Sequence, residues 1–391
     1  MVGVLVRVQP ASPDCPINSL FIGQSGEATG EKMLDEYRRN IDYLRVSITD
    51  RCNLRCIYCM PSAGVVQVTH DDILSFDEIV TVCKGAANLG IKKIKVTGGE
   101  PLVRRGVPAL IRQIKAIPGI ENVTLTTNGV LLEDKIEELV AAGIDGINIS
   151  LDSIDSIVFK EITGFDLLPN VLDGIEKTLK YKTIPLKVNC VPMKRVNVAR
   201  KAELASWECK EIKGCKPVEP VLLQEGCESL RGLLELVSLA KDAPIHVRFI
   251  EVMPIGYGKD FEYISEKEII REIEKKYGKM IPYHERLGNG PSHYYHIEGF
   301  QGKIGFISAI SHKFCGSCNR VRLTSQGFLK TCLQYELGGD LRKALRSGAD
   351  VEEITRLMES IIMKKPEGHV FEEQDFEKQE ENQLIMSEIG G

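Results

Sequence analysis

Two hydrophobic periods take turns along this chain. Runs with an apolar residue at every second position fall at 43–49, 91–97, 122–127, 145–150, 185–191 and 245–252. Between them lie stretches whose apolar residues recur every three or four positions, at 76–90, 107–117, 133–142, 168–180 and 230–240. The first period suits a strand and the second an amphipathic helix. Strand and crossover helix in series predict right-handed βα units that share one parallel sheet. Six strands fall short of the eight that close a barrel. The expected fold is therefore α/β, an incomplete (β/α)6 TIM-like barrel.

The rhythm breaks in three places. Residues 1–32 are rich in Gly, Ser and Pro without a sustained period, which predicts a disordered extension, with Met33 as a candidate natural start. Residues 196–229 read as an insertion in a barrel spanning 33–253. Its Cys209, Cys215 and Cys227, at C-x5-C-x11-C, offer a third metal site as the alternative, but spacing this loose favours free thiols, which are expected. From 254 the pattern changes to a charged helix near 265–277 and strand-like runs at 293–297 and 304–307. Residues 254–391 are thus expected to form a second, α+β domain.

Parallel strands buried on both faces are apolar throughout, yet these alternate. Arg45 opposes Leu44 and Val46, Lys93 and Lys95 oppose Ile94 and Val96, and Asn148 and Ser150 oppose Ile147 and Ile149. Lys187 and Asn189 oppose Leu186 and Val188, and Arg248 opposes Val247 and Phe249. If the apolar faces meet the helices, the polar faces point into the barrel. An isolated buried charge costs several kcal/mol. Arg45, Lys93, Lys95, Lys187 and Arg248 together therefore predict a wide, hydrated lumen for a large anionic ligand.

Composition changes this picture only by exclusion. With 43% apolar and 27% charged residues the chain is ordinary globular material. A net charge of −5 argues against a general nucleic-acid binder, so an anion must be met by local cations. The absence of a run of 18 apolar residues argues against a membrane span, and the N-terminal residues lack the apolar core of a signal peptide. Twelve cysteines without an export signal point to a reducing, cytoplasmic setting and to metal ligation rather than disulfides.

Three of those thiols, Cys52, Cys56 and Cys59, follow the first strand at C-x3-C-x2-C. Thiolates are soft ligands that suit iron–sulfur clusters, and three of them leave one iron of a four-iron cluster open. A structural zinc site usually takes a fourth Cys or His close by, and none lies between Met60 and Thr69. The motif resembles that of the radical S-adenosylmethionine superfamily. The resemblance implies that the open iron chelates S-adenosylmethionine, whose cleavage yields a 5′-deoxyadenosyl radical, with Tyr58 beside cluster and cofactor. Gly98-Gly99-Glu100-Pro101, at the end of the second strand, matches the superfamily segment that receives the amino group of S-adenosylmethionine.

Cys315, Cys318 and Cys332 form a second trio, C-x2-C-x13-C. His312 lies three residues upstream and could complete a zinc site; the alternative is a second cluster with an open iron. Arg320 and Arg322 alternate on an extended segment, so both guanidinium forks project to one side, where they suit phosphate or carboxylate.

The run Tyr43-Leu-Arg-Val-Ser-Ile-Thr-Asp-Arg-Cys52, the Thr97-Gly-Gly-Glu-Pro101 segment, the second trio with its R-x-R pair and the terminal Ile389-Gly390-Gly391 together resemble the GTP 3′,8-cyclases. That family acts first in molybdenum-cofactor biosynthesis, and the resemblance runs from about Met33 to the end, the insertion excepted. It implies that the second domain closes the barrel's open side and that two [4Fe-4S] clusters face each other across one cavity. Cys52, Cys56 and Cys59 are implied as ligands of the first cluster, and Cys315, Cys318 and Cys332 of the second. Tyr58, Gly99, Ser150 and Met253 are implied around S-adenosylmethionine. Arg45, Lys95, Thr126, Lys187, Arg320 and Arg322 are implied around GTP, with Lys93 and Arg248 as further lumen cations. Arg320, Arg322, Gly390 and Gly391 are implied in catalysis. The implied reaction abstracts hydrogen from the ribose C3′ and joins that carbon to C8 of guanine, giving 3′,8-cyclo-7,8-dihydro-GTP. Implied partners are GTP, an electron donor and, as next enzyme, cyclic pyranopterin monophosphate synthase; no nucleic acid and no membrane are expected, and a homodimer is left open. Another radical enzyme with an auxiliary cluster and a non-catalytic iron–sulfur electron carrier are the alternatives.

Overall fold

The computed structural model describes residues 32–65, 68–196, 228–371 and 386. The expected extension apart from Lys32, the thiols Cys209, Cys215 and Cys227, and the Gly390-Gly391 tail lie outside the described residues.

The six strands expected of the barrel are β1 (Tyr43–Ser47), β2 (Lys93–Thr97), β3 (Asn122–Thr127), β4 (Gly146–Ser150), β5 (Leu186–Cys190) and, after the short β6 (Met193–Val196), β7 (Ile245–Ile250). Between and around them run α1 (Phe76–Asn88), α2 (Val107–Lys115), α3 (Leu132–Ala141), α4 (Ser156–Thr163), α5 (Leu168–Leu179) and α6 (Glu228–Asp242). The apolar strand faces, such as Leu44, Val46, Ile94, Val96, Val123 and Leu125, are buried in one core with the inner faces of the helices. That burial fixes which face of each strand is left for the lumen. Ser75 starts α1 with a reciprocal cap, its hydroxyl accepting from the Glu78 amide at 3.1 Å while Glu78 accepts from the Ser75 amide at 2.6 Å. α4 is too short for its period to stand out in the sequence. It is set by local chemistry instead: Asp155 accepts from the Ile157 and Val158 amides, and Gly164 ends the helix at φ 80°.

The second region contributes β8 (Phe261–Tyr263), α7 (Glu266–Tyr277), β9 (Ile281–Tyr283), β10 (His293–His296), β11 (Ile304–Ile307), β12 (Arg320–Leu323), β13 (Phe328–Lys330), β14 (Gly338–Asp340), α8 (Leu341–Arg346) and α9 (Val351–Ile362). β8 pairs with β6 in a small sheet, but the other strands build no sheet of their own. They extend the barrel sheet at both edges, in the order β14-β13-β12-β1-β2-β3-β4-β5-β7-β11-β10-β9. β12 runs parallel to β1, and β11 parallel to β7. The ends β14 and β9 do not pair, so the barrel stays incomplete. Outside, α9 packs across α1 at Gly85, where a Cβ would stand 3.3 Å from Ile354 Cγ2. Among the described residues no helix is long and apolar enough to cross a membrane.

Candidate active site

The polar strand faces enclose a cavity of about 430 Å3. Both cysteine trios line it, and sheet register explains why they stand at opposite ends. β1 and β12 are parallel neighbours, with Tyr43 beside Arg320 and Val46 beside Leu323. The first trio follows the C-terminal end of β1, while Cys315 and Cys318 precede the N-terminal end of β12. Cys332 follows the antiparallel β13 and so returns to that same end.

The loop of the first trio is held from three sides. Cys59 and Met60 donate their amides to the Cys56 carbonyl, closing a tight turn. The end of α4 accepts the Arg55 amide at the Thr163 carbonyl (2.8 Å) and the Ile57 amide at the Ile162 carbonyl (3.0 Å). The third support is Gly98-Gly99: the Gly99 amide donates to the Thr49 carbonyl at 2.7 Å, just upstream of Cys52. A Cβ on Gly99 would lie 2.5 Å from the Asp50 and Arg51 carbonyl oxygens, so only glycine fits this approach. Glu100 then ties β2 to β3, accepting from Thr127 Oγ1 at 2.7 Å and from the Asn128 amide at 2.6 Å. Tyr58 donates its hydroxyl to Asp152 Oδ2 at 2.7 Å, and Asp152 is itself held by the Val191 amide.

In the second trio, Cys315 opens a turn over Cys315–Ser317, Cys318 directly follows it, and Cys332 joins from the end of β13. Arg39 donates to the Cys315 carbonyl at 3.1 Å and to the Pro366 and Glu367 carbonyls at 2.7 Å. Its guanidinium is fixed by Asp35 at 2.6 Å. Lys365 reaches the carbonyls of Arg320 and Thr331, which places a buried ammonium beside the trio.

Between the trios stand cations. Arg45, Lys95, Lys187, Arg248, Arg320 and Arg322 all line the cavity, as does Thr126. Arg248 is oriented by neutral partners: Nε donates to Asn189 Oδ1 at 2.9 Å and Nη2 to Asn148 Oδ1 at 2.8 Å. Burial, followed by repulsion from Arg248, Arg45 and Lys187, holds the Lys95 ammonium well below its ordinary value. Burial and the Arg45 and Arg320 charges do the same to Arg322, whose Nη1 has no hydrogen-bond partner among the described residues. Burial pulls Arg45 to about 10, and burial with Arg248 pulls Lys187 to about 8. A chamber in which cations depress one another is built for a polyanion that relieves the repulsion.

The family model described as the Radical SAM superfamily matches residues 46–207, and that described as Molybdenum Cofactor Synthesis C matches residues 245–371. A GTP 3′,8-cyclase of Clostridium perfringens (strain 13 / Type A) is 43% identical over 360 residues, covering 92% of this chain and 100% of its own. This chain belongs to the GTP 3′,8-cyclase family. A GTP 3′,8-cyclase of Syntrophomonas wolfei is 42% identical over 362 residues with the same coverage. Among solved structures, Streptococcus suis SuiB bound to precursor peptide SuiA shares the fold, with a TM-score of 0.52 at 12% identity over 83% of this chain and 65% of that one. The cyclase family lies within the radical SAM superfamily, whose cofactors are S-adenosylmethionine and an iron–sulfur cluster.

The donor set fits such a cluster. None of the six thiols is in a disulfide, and no three His, Cys, Asp or Glu side chains among the described residues converge as they would on a single metal ion. Cluster cysteines each bond a different iron and so stand further apart than the ligands of one ion. Burial pushes Cys52 up to about 11, and burial with the Cys59 and Cys52 thiols pushes Cys56 well above the ordinary thiol value. Three such thiolates are stable together only around a cationic centre. Burial also opposes ionisation of Cys318, but the Lys365 and Arg320 charges outweigh it and bring that thiol to about 7. His312 faces Glu266, with Nδ1 3.6 Å from Oε2, and does not line the cavity, so it offers the second trio no fourth ligand.

Tyr58, Gly99, Ser150 and Met253 line the cavity with the first trio. Lys93 departs from its expected place. It does not line the cavity, because Asp42, one residue before β1, captures its ammonium at 2.6 Å. Arg39, Lys365 and the segment 287–291 also shape the site. Arg39 and Lys365 sit in no cysteine or glycine motif, and their contacts join residues far apart in the chain; for the segment, the Gly288-Asn289-Gly290 run is the one signal the sequence offers.

Proposed function

We propose that this chain is a radical enzyme that converts GTP to 3′,8-cyclo-7,8-dihydro-GTP, the opening step of molybdenum-cofactor formation. One observation carries the reading: two cysteine trios border a single cation-lined cavity from opposite ends. Each trio would hold a [4Fe-4S] cluster with one open iron, the first facing S-adenosylmethionine and the second the guanine ring. When bound, the first cluster and S-adenosylmethionine supply the 5′-deoxyadenosyl radical that removes hydrogen from C3′.

The remaining work belongs to this chain's residues. Tyr58, Gly99, Ser150 and Met253 would seat S-adenosylmethionine. Arg45, Lys95, Thr126, Lys187, Arg248, Arg320 and Arg322 would bind the nucleotide. A carbon radical has little intrinsic selectivity, so orientation is where the protein contributes most. The Asn148–Arg248–Asn189 triad provides it by holding a cation in one place before substrate arrives. The Gly390-Gly391 tail would act in the same reaction; Met386, four residues before Gly390, lines the cavity. An external one-electron donor completes the reaction, and cyclic pyranopterin monophosphate synthase would consume the product.

Anaerobic incubation of cluster-loaded protein with GTP, S-adenosylmethionine and dithionite tests the reading. GTP-dependent 5′-deoxyadenosine together with the cyclised nucleotide is the expected result. 5′-Deoxyadenosine formed without any dependence on GTP would assign the chain to another radical reaction, and its complete absence to electron transfer alone.

A further inference from the structure

Residues 287–291, Leu-Gly-Asn-Gly-Pro, lie between β9 and β10 and close the cavity at the end where the barrel strands begin. They share that part of the wall with Asn122, the first residue of β3, Gly146, the first of β4, and Pro185, just before β5. The amides of Gly288, Asn289 and Gly290 donate to no acceptor among the described residues. Gly288 is exposed and Asn289 and Gly290 are half-buried, so these backbone donors stand open to an acceptor among the cavity's contents. A cation stands beside them: a Cβ on Gly288 would lie 3.0 Å from Lys187 Nζ.

The loop is also fixed in place. Asn289 Nδ2 donates to Asn122 Oδ1 at 2.6 Å, and the Asn289 carbonyl accepts from Asn319 Nδ2 at 3.5 Å. Asn319 in turn donates to Asp42 Oδ1 at 2.5 Å, and Asp42 Oδ2 takes the Lys93 ammonium at 2.6 Å. Lys93 thus secures the anchor of this loop rather than reaching into the lumen. Unpaired amides on a glycine-bearing bend next to a lysine form an arrangement that cradles phosphate, because the small backbone lets several donors approach one anion.

We propose that residues 287–291 are the floor on which the terminal phosphate of the nucleotide rests, so that this loop and Lys187 set the preference for a triphosphate over shorter phosphate chains. The proposal rests on the GTP reading above and adds to it a part of the site that recognises chain length. Gly288→Ala places a methyl group in the space between the loop and Lys187 and is the direct perturbation. Asn289→Ala, which releases the loop from Asn122, is the second.

Equilibrium dialysis of cluster-loaded protein under nitrogen measures the dissociation constants of GTP, GMP and inorganic triphosphate. Gly288→Ala is expected to weaken GTP and inorganic triphosphate about tenfold, the loss of one charge-assisted contact, and GMP by no more than about twofold. Asn289→Ala is expected to lower the GTP-to-GMP preference in the same direction, and it decides the matter should Gly288→Ala not fold. Unchanged iron content and circular dichroism confirm that each variant is intact. Equal weakening of GTP and GMP, or none, overturns the phosphate floor. Neither result touches the GTP reading, which fails separately if the unsubstituted protein forms no GTP-dependent 5′-deoxyadenosine.

Discussion

Replacing Arg39 by Met should empty the second trio and spare the first. Arg39 and Asp35 are paired at 2.6 Å with side-chain exposures of 5% and 0%. Removing one member of a buried pair costs about 3–5 kcal/mol, because the other charge is left behind without compensation. Asp35 keeps two backbone donors, the Tyr37 amide at 3.0 Å and the Arg39 amide at 2.9 Å, which argues for the lower end of that range. The carbonyls of Cys315, Pro366 and Glu367 also lose a charged donor, each such bond contributing about 1.5–3 kcal/mol when it stands alone. These contributions are not additive, but a loss near ~4 kcal/mol falls on one strap, 365–367, and on the turn that carries Cys315. That is a large part of the stability of a typical domain, about 5–15 kcal/mol, and it is concentrated where the strap is held. The strap should therefore open locally while the barrel stays folded. Anaerobic reconstitution followed by iron and sulfide analysis should give about four irons per chain in Arg39→Met against about eight in the unsubstituted protein. In a background with Cys52, Cys56 and Cys59 changed to Ala, the same substitution should remove the remaining cluster signal from the electron paramagnetic resonance spectrum. Arg39→Met with about eight irons and an unaltered second-cluster spectrum would refute the reasoning.

Three further outcomes follow from the site. Gly99→Ala should lower S-adenosylmethionine affinity by more than about tenfold, because its Cβ would collide with two backbone oxygens at 2.5 Å that cannot move aside without shifting Cys52; isothermal titration of the reconstituted protein measures it, and unchanged affinity sinks the steric account. Nucleotide affinity should fall as pH rises above about 8, where free Lys187 begins to lose its proton. A bound triphosphate raises that lysine's value, so binding takes up a proton, and the decline approaches about tenfold per pH unit for one such group; a flat profile from about pH 7 to 10 would contradict it. Deleting Gly390-Gly391 should abolish turnover while both clusters and GTP binding persist, as dialysis and iron analysis would show, and a truncated chain with full turnover would release the tail from any part in the reaction.

Much of this protein is legible in the order of its residues. Alternation predicts β3 at its observed residues, and the other five barrel strands within two residues at either end, because a half-buried pleat leaves little choice of face. The same alternation brings Arg45, Lys95, Lys187 and Arg248 to one side, and the cavity is lined by all four. The cysteine spacings announce their chemistry because a short loop and three soft donors are local properties.

What the chain alone decided was therefore period, face and ligand type, each of which depends on neighbours a few residues away. The tertiary structure decided the rest. The strands of the second region join the barrel sheet at both edges, and parallel pairing of β12 with β1 carries the second trio to the far end of the lumen from the first. Lys93 and Lys95 occupy the same strand face, yet one is captured by Asp42 and the other lines the cavity, a difference that no periodicity contains. Arg39 reaches the 365–367 strap across more than three hundred residues of chain. Contacts of that length are chosen by which surfaces can be buried together, and burial is settled only when the whole chain has folded.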